Sequence, residues 1–234
     1  GVDLFEQGLA ETGDKVEALG RRFQSFACDL TDAVAVKKMI DTAAQTGAGF
    51  DILINNAGVA PCGAFTGRAF DEWVKTIDIN LLSLMRITYF ALPYLAKREN
   101  AHIVNIASIA GKFGGEGLAA YAASKHGVVG FSSALRAELA EQNIGVSWLC
   151  PSYVRTRISE DIGRTFMTPM VEPEQVARAI RRAIAKNHNE VFLPRYMRLS
   201  VDILPAVFPN FSRKISKWTK VAQGWLQAEK KLQL

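Results

Sequence analysis

Short runs rich in β-branched and aromatic residues alternate along the chain with longer stretches whose apolar positions recur every three or four residues. The first kind reads as strands and the second as amphipathic helices. Strands are expected at 22–28 (RFQSFAC), 50–54 (FDILI), 102–107 (HIVNIA), 145–150 (GVSWLC) and 190–193 (EVFL). Helices are expected around 8–19, 33–46, 70–97, 120–142 and 173–186. The last opens Glu172-Pro173-Glu174-Gln175, an early proline with an acidic first turn, which is a common helix start. Strands alternating with helices of this length build a parallel sheet covered on both faces. The pattern predicts one α/β domain, a doubly wound parallel sheet, with a C-terminal addition.

Four of the strands run straight into small or polar residues: Asp29, then Asn55-Asn56-Ala57-Gly58, then Ser108, then Pro151-Ser152. In open parallel sheets the ligand crevice lies beyond the carboxyl ends of the strands. Turns also favour Asn, Asp, Gly, Ser and Pro, so any single case means little. Several along one sheet edge suggest a composite site.

Composition narrows the classes. Of 234 residues, 49% are hydrophobic and 22% charged, which excludes a disordered, collagen-like or disulfide-scaffold protein. Cys28, Cys62 and Cys150 are scattered, with no CxxC and no neighbouring histidine, so they read as buried or free thiols in a reducing compartment. His102, His126 and His188 are dispersed and fit no ligand set, so no metal is expected. No apolar run approaches the roughly 18 residues that cross a bilayer, and no signal peptide opens the chain. The net charge of +5 does not by itself imply nucleic acid as a partner. A cytoplasmic protein is the simplest expectation.

Tyr121-Ala122-Ala123-Ser124-Lys125 carries the chemistry. Its surroundings are alanine-rich and helical in pattern, which puts Tyr121 and Lys125, at i and i+4, one turn apart on one face. A phenol titrates near 10, too high for an efficient base at neutral pH, and a nearby ammonium lowers it. Alone, such a pair is more often a helix face with no chemistry. Ser108 changes the weighting: it ends an apolar strand and precedes the glycine-containing stretch 111–117. A hydroxyl there can donate to a substrate oxygen near the tyrosine, although strand-end serines are common.

With these residues in place, the chain resembles the short-chain dehydrogenase/reductase family from Asp3 to about Pro194. Asn55-Asn56-Ala57-Gly58 matches the family's NNAG signature, and Asn80 in Ile79-Asn80-Leu81 its helical asparagine. Ser108, Tyr121 and Lys125 match the rest of the catalytic tetrad in type, order and spacing. Cys28-Asp29-Leu30-Thr31-Asp32 resembles the segment that holds the adenine ring. Pro151-Ser152-Tyr153-Val154-Arg155-Thr156 resembles the PG-x-V-x-T loop beside the nicotinamide. A looser resemblance, in Cys150–Val154, Ile158–Pro169 and Glu172–Arg195, points to the retinol and 17β-hydroxysteroid branch and to a lipophilic substrate.

The resemblance implies a Rossmann-like fold and an NAD(P)-dependent enzyme interconverting an alcohol and a ketone or aldehyde. Tyr121 would exchange the proton with the substrate oxygen. Lys125 would bind the nicotinamide ribose and lower the tyrosine pKa. Ser108 would orient the substrate, and Asn80 would anchor a water in the proton relay. Cofactor contacts are implied for Asp3, Asp29, Leu30, Asn56, Ala57, Gly58, Tyr121, Lys125, Val154 and Thr156. A homodimer or homotetramer is implied as well, through the helices near 70–97 and 120–142.

Two departures accompany the match. The family's TGxxxGxG turn, which places backbone N–H groups against a pyrophosphate, does not occur here. Gly1-Val2-Asp3-Leu4 reads as the end of the second strand, so the first βα unit is expected to be missing and the domain at 1–195 amino-terminally incomplete. A non-catalytic dinucleotide-binding or scaffold protein that lost its phosphate-binding unit is the alternative reading. Asp3, at a strand end, would bond adenosine ribose hydroxyls and repel a 2′-phosphate, which favours NAD over NADP. The second departure is Ser152, where the family usually has glycine.

Beyond Pro194 the character changes, and 196–234 reads as an extension. Within 212–234, Ile215, Trp218, Val221, Ala222, Trp225 and Leu226 share a helical face, with Arg213, Lys217 and Lys220 opposite. Such a helix suits peripheral contact with a membrane interface; packing on the protein itself or on a partner subunit is the other reading.

Overall fold

Apolar side chains buried from both sides mark the centre of the sheet. His102–Ile106 buries four residues in a row, and Gly145–Pro151 buries six. Strands covered on both faces behave this way in parallel sheets. The computed structural model describes residues 1–46, 49–156 and 169–210. Among them the chain runs β1 (Val2–Asp3), α1 (Glu6–Glu17), β2 (Phe26–Ala27), α2 (Ala33–Gln45), β3 (Ile52–Asn55), α3 (Phe70–Ile77), α4 (Ser83–Leu95), β4 (His102–Ile106), α5 (Ala119–Glu138), β5 (Gly145–Pro151), β6 (Tyr153–Val154), β7 (Met170–Val171), α6 (Pro173–Lys186), β8 (Glu190–Leu193) and α7 (Leu204–Val207).

The main sheet has the order β3-β4-β5-β8, all parallel. Its registers pair Asn55 with Asn105, Ile106 with Leu149, and Pro151 with Leu193, so the carboxyl ends of the four strands share one edge. β1 and β2 form a separate parallel pair, as do β6 and β7.

Alternation along β4 fills two layers. Ile103 faces a core with Val36 and Ile40 of α2, Ala91 and Leu95 of α4, and Leu135 of α5. Val104 faces the other way, with Leu149, against Val176, Ile180 and Ala183 of α6. The sheet is therefore covered on both faces and the fold is the expected Rossmann-like α/β arrangement. Glu172 and Gln175 form a reciprocal capping box at the start of α6, as its opening suggested.

Several boundaries differ from expectation. The strand expected at 22–28 is confined to Phe26–Ala27, because β1 offers it only two residues of ladder. The single helix expected at 70–97 is α3 and α4 joined by a π-helical turn, Asp78–Leu82. The two-residue strands β1, β6 and β7 are too short for alternation to reveal. Met197 and Val201 pack with Trp148, Cys150 and Phe192, so the chain beyond Pro194 is still part of the body there. The amphipathic stretch 212–234 lies outside the described residues. No described helix is long and apolar enough to cross a membrane.

His102 gives the fold a pH dependence. Its ring is buried, and Nε2 lies 2.8 Å from Ser147 Oγ. The Ser147 hydroxyl donates to the His188 carbonyl, so Nε2–H of His102 donates to Ser147. Burial, and then the charge of Arg136, push the imidazole from 6.5 down to about 4. An unfolded histidine takes its proton near 6.5, so the folded state binds fewer protons between these values. Stability is expected to be full above about pH 6.5 and to fall as pH drops toward 4. Urea melts of wild type and His102→Gln across this range check it: glutamine can keep the bond to Ser147 but does not titrate, so the acid slope should flatten.

Candidate active site

β4 ends at Ile106, and Ser108 begins the tight turn Ile109–Gly111. Its Oγ accepts from the Ala110 N–H at 3.1 Å, capping that turn. Ser108 also makes a side-chain hydrogen bond with Tyr121. The turn sits hard against α5: a Cβ on Gly111 would come within 2.7 Å of the Lys125 carbonyl oxygen. Glycine is required there for close approach.

α5 opens on Ala119 and Ala120, and its alanines and serines let it lie close to the sheet. Tyr121 is half-buried and Lys125 fully buried. Lys125 Nζ donates to the Ile106 carbonyl at 2.9 Å and lies 5.8 Å from the Tyr121 ring centroid. Burial brings the ammonium from 10.5 down to about 8. Burial also raises the phenol above its ordinary value, and the Ser108 bond opposes that shift. The lowering of the phenol expected from Lys125 is thus absent in this arrangement. The lysine is directed at a strand-end carbonyl, and desolvation governs the tyrosine.

Asn80 sits in the π-helical turn, 1% exposed. Its Oδ1 accepts from Val59 N–H at 2.8 Å, while Nδ2 donates to the Val59 carbonyl at 2.9 Å and to Ser124 Oγ at 3.0 Å. The Ser124 hydroxyl in turn donates to the Tyr121 carbonyl at 2.7 Å. The amide therefore clamps the loop after β3 to α5. A Cβ on Gly58 would stand 3.1 Å from Asn80 Oδ1 and 3.6 Å from Lys125 Nζ, so the loop backbone rests directly against both.

A cavity of about 1060 Å³ is lined by residues from the carboxyl ends of the strands, from the length of β3 and from the β1–β2 pair. Ser108, Tyr121, Lys125, Val154 and Thr156 contribute to its wall, as do Asn56, Ala57 and Gly58, and Asp3, Asp29 and Leu30. Asn80 stands behind this wall. Asp29 is exposed; its Oδ1 accepts from the N–H and hydroxyl of Thr31, which hold the carboxyl below its ordinary value. Asp3 Oδ1 accepts from the Phe5 N–H at 3.0 Å. The arrangement brings a phenol, a hydroxyl and an ammonium onto the wall of a cavity that two carboxylates also line.

Sequence reasoning singled out Asn55 only as part of a signature and missed the buried network that it belongs to. Asn55, Thr88, Asn105, Ser124 and Ser132 are buried and hydrogen-bonded to one another or to the site. Polar residues at positions that the periodicity assigns to the core were the available signal.

The family model for short chain dehydrogenases matches residues 2–165. 17-beta-hydroxysteroid dehydrogenase 13 of Mus musculus is 32% identical over 215 residues, covering 91% of this chain and 70% of the relative. Ketoacyl reductase HetN of Nostoc sp. is 32% identical over 195 residues, 82% of this chain and 68% of the relative. 3-oxoacyl-(acyl-carrier-protein) reductase FabG of Thermotoga maritima is 28% identical over 187 residues, 76% of each. With its parallel sheet, its composite site at the strand ends and a match spanning most of its length, this chain belongs to the short-chain dehydrogenase family of NAD(P)-dependent oxidoreductases.

Proposed function

We propose that the chain interconverts an alcohol and a carbonyl compound by hydride transfer, with NAD preferred over NADP and a lipophilic small molecule as substrate. The observation that carries this reading is the meeting of Ser108, Tyr121 and Lys125 in a cavity that Asp3 and Asp29 also line. Gly58 supports this reading, because it lets the loop after β3 lie directly against Asn80 and Lys125 while lining the same cavity.

A nicotinamide dinucleotide bound here supplies the hydride donor for reduction and the acceptor for oxidation. Tyr121, protonated at neutral pH because burial raises it, gives its proton to the carbonyl oxygen during reduction and takes one back during oxidation. The Ser108 hydroxyl orients that oxygen. Lys125, charged below about pH 8, would hold the nicotinamide ribose. Asn80 holds the loop after β3 in place through Val59 and acts as a positioning residue. Leu30, Asn56, Ala57, Val154 and Thr156 border the dinucleotide along the cavity. Asp3 would accept from the adenosine ribose hydroxyls and oppose a 2′-phosphate, and Asp29 would border the adenine ring. Ile109, Phe113, Leu118 and Tyr153 give the reacting end an apolar lining, which suits a lipophilic substrate. The relatives' names, a hydroxysteroid dehydrogenase and ketoacyl reductases, agree with that class. Exposed Phe70, Val74, Leu82, Met85 and Tyr89 on α3, α4 and the turn between them support association of two copies.

Replacing Tyr121 by Phe removes the proton donor and leaves the ring. Turnover of a panel of apolar ketones and alcohols, followed by dinucleotide absorbance, should fall about 10²–10⁴-fold. An unchanged rate would sink the acid–base assignment. Calorimetric titration of the wild type with NADH and with NADPH tests the cofactor preference. NADH should bind more tightly, and Asp3→Ser should narrow the gap; equal affinities in the wild type would remove the argument from the carboxylates.

A further inference from the structure

Four charged side chains from three parts of the chain meet behind the cavity wall. Lys112 leaves the turn that Ser108 begins, Glu190 opens β8, and Arg198 and Asp202 belong to the stretch after Pro194. Lys112 Nζ lies 2.8 Å from Glu190 Oε1 and 3.5 Å from Asp202 Oδ1, and Arg198 Nε lies 3.8 Å from Asp202 Oδ2. The same Glu190 oxygen accepts from Trp148 Nε1 at 2.8 Å, which ties the carboxylate to β5. Lys112 and Glu190 are largely buried, whereas the pairs Lys37–Asp41 and Arg155–Glu172 lie at the surface. Burial disfavours the Lys112 charge, but the bond to Glu190 and the charges of Glu190 and Asp202 hold the ammonium above its ordinary value. None of the four lines the cavity.

What the cluster reaches is the Ser108 turn. Lys112 N–H donates to the Ile109 carbonyl at 2.9 Å, and Gly111 N–H to the Ser108 carbonyl at 2.9 Å. With the bond from Ala110 N–H to Ser108 Oγ, residues 108–112 form one closed unit. On one side Gly111 rests against the Lys125 carbonyl, and on the other Ile109 packs with Met197 and Val201. Apolar packing has no preferred direction, so the ion pairs are what set the position of the turn's last residue.

We propose that Lys112 is a positioning residue for proton transfer: its ion pairs with Glu190 and Asp202 hold residues 108–112 where the Ser108 side chain bonds Tyr121. The inference rests on the role given to Tyr121 under Proposed function. It makes Asp202, on a segment outside the cavity, part of the support of the reacting pair. A buried ion pair that loses one partner leaves an uncompensated charge, so removing the Lys112 ammonium should rearrange the cluster and release the turn.

NMR of the ligand-free protein, with its five tyrosines carrying carbon-13 at Cζ, reads the bond directly. The Tyr121 signal is the one lost in Tyr121→Phe, and Ser108→Ala shows where it lies without the serine. Lys112→Met should move the signal most of the way to the Ser108→Ala position, while Lys112→Arg, which keeps the charge, should leave it near wild type. In a Ser108→Ala background, Lys112→Met should move it no further. A merely structural role would lower the melting temperature without this dependence on Ser108. Asp202→Asn keeps the Glu190 pair and should move the signal part of the way; it decides the matter if melts show that Lys112→Met does not fold. A Tyr121 signal at its wild-type position in folded Lys112→Met, or in Asp202→Asn where that variant decides, would overturn the role of Lys112. So would a signal that Ser108→Ala leaves in place, or an equal displacement by Lys112→Met with and without Ser108. These outcomes leave the acid–base reading of Tyr121 standing. Unchanged turnover in Tyr121→Phe would overturn that reading, and the part of Lys112 in proton transfer with it.

Discussion

A short chain of buried side-chain hydrogen bonds fixes how the sheet meets the helix that carries the site. Asn55 donates to Thr88 Oγ1 at 3.1 Å and to Asn105 Oδ1 at 2.9 Å. Asn105 passes its own amide hydrogen to Ser132 Oγ at 2.9 Å, and Ser132 donates to the Val128 carbonyl at 2.6 Å. Asn105 and Ser132 are completely buried, so a slip in register would strand amides and hydroxyls in an apolar interior. Each group left unpaired would cost about 1–3 kcal/mol. The chain thereby joins β3, β4, α4 and α5 in one alignment.

Everything at the reacting end inherits that alignment. Asn55 and Asn105 are the last register pair of β3 and β4, so fixing them also fixes the departure points of the Asn56–Gly58 loop and of the chain toward Ser108. Ser132 lies two turns beyond Lys125 on α5, and Lys125 makes its own contact with β4 through the Ile106 carbonyl. Two attachments along one helix set its height and rotation over the sheet. Asn80 supplies a third constraint by joining the loop after β3 to Ser124. Tyr121 is therefore carried by a helix held at three places, which is how a half-buried side chain is kept in one geometry.

The sequence made the large features legible for different reasons than it hid the small ones. Strands β4 and β5 are rich in β-branched and aromatic residues, and α6 announces its start with Glu172-Pro173, so residue pattern and capping chemistry suffice. Ser108, Tyr121 and Lys125 were legible because spacing on a helix and position after a strand are local properties. The break at Asp78–Leu82 was not: a π-helical turn has no composition of its own, and its basis here is the pull of Asn80 toward Val59 and Ser124, residues far away in the chain. The same holds for Asn105 and Thr88, whose partners become visible only once strands and helices are side by side.

Burial acts on the reacting pair in a way that spacing alone misjudges. It raises the phenol of Tyr121 and lowers the ammonium of Lys125 to about 8, so both are pushed toward their neutral forms. Proximity of an ammonium would favour phenolate, but Lys125 spends its bond on the Ile106 carbonyl and faces the ring at 5.8 Å. The group that opposes the rise of the phenol is Ser108. Ser108 also accepts from the Ala110 N–H, so the turn Ile109–Gly111 and the phenol are bonded through one side chain. Lys125 joins α5 to β4 through the Ile106 carbonyl and adds its ammonium to the cavity wall.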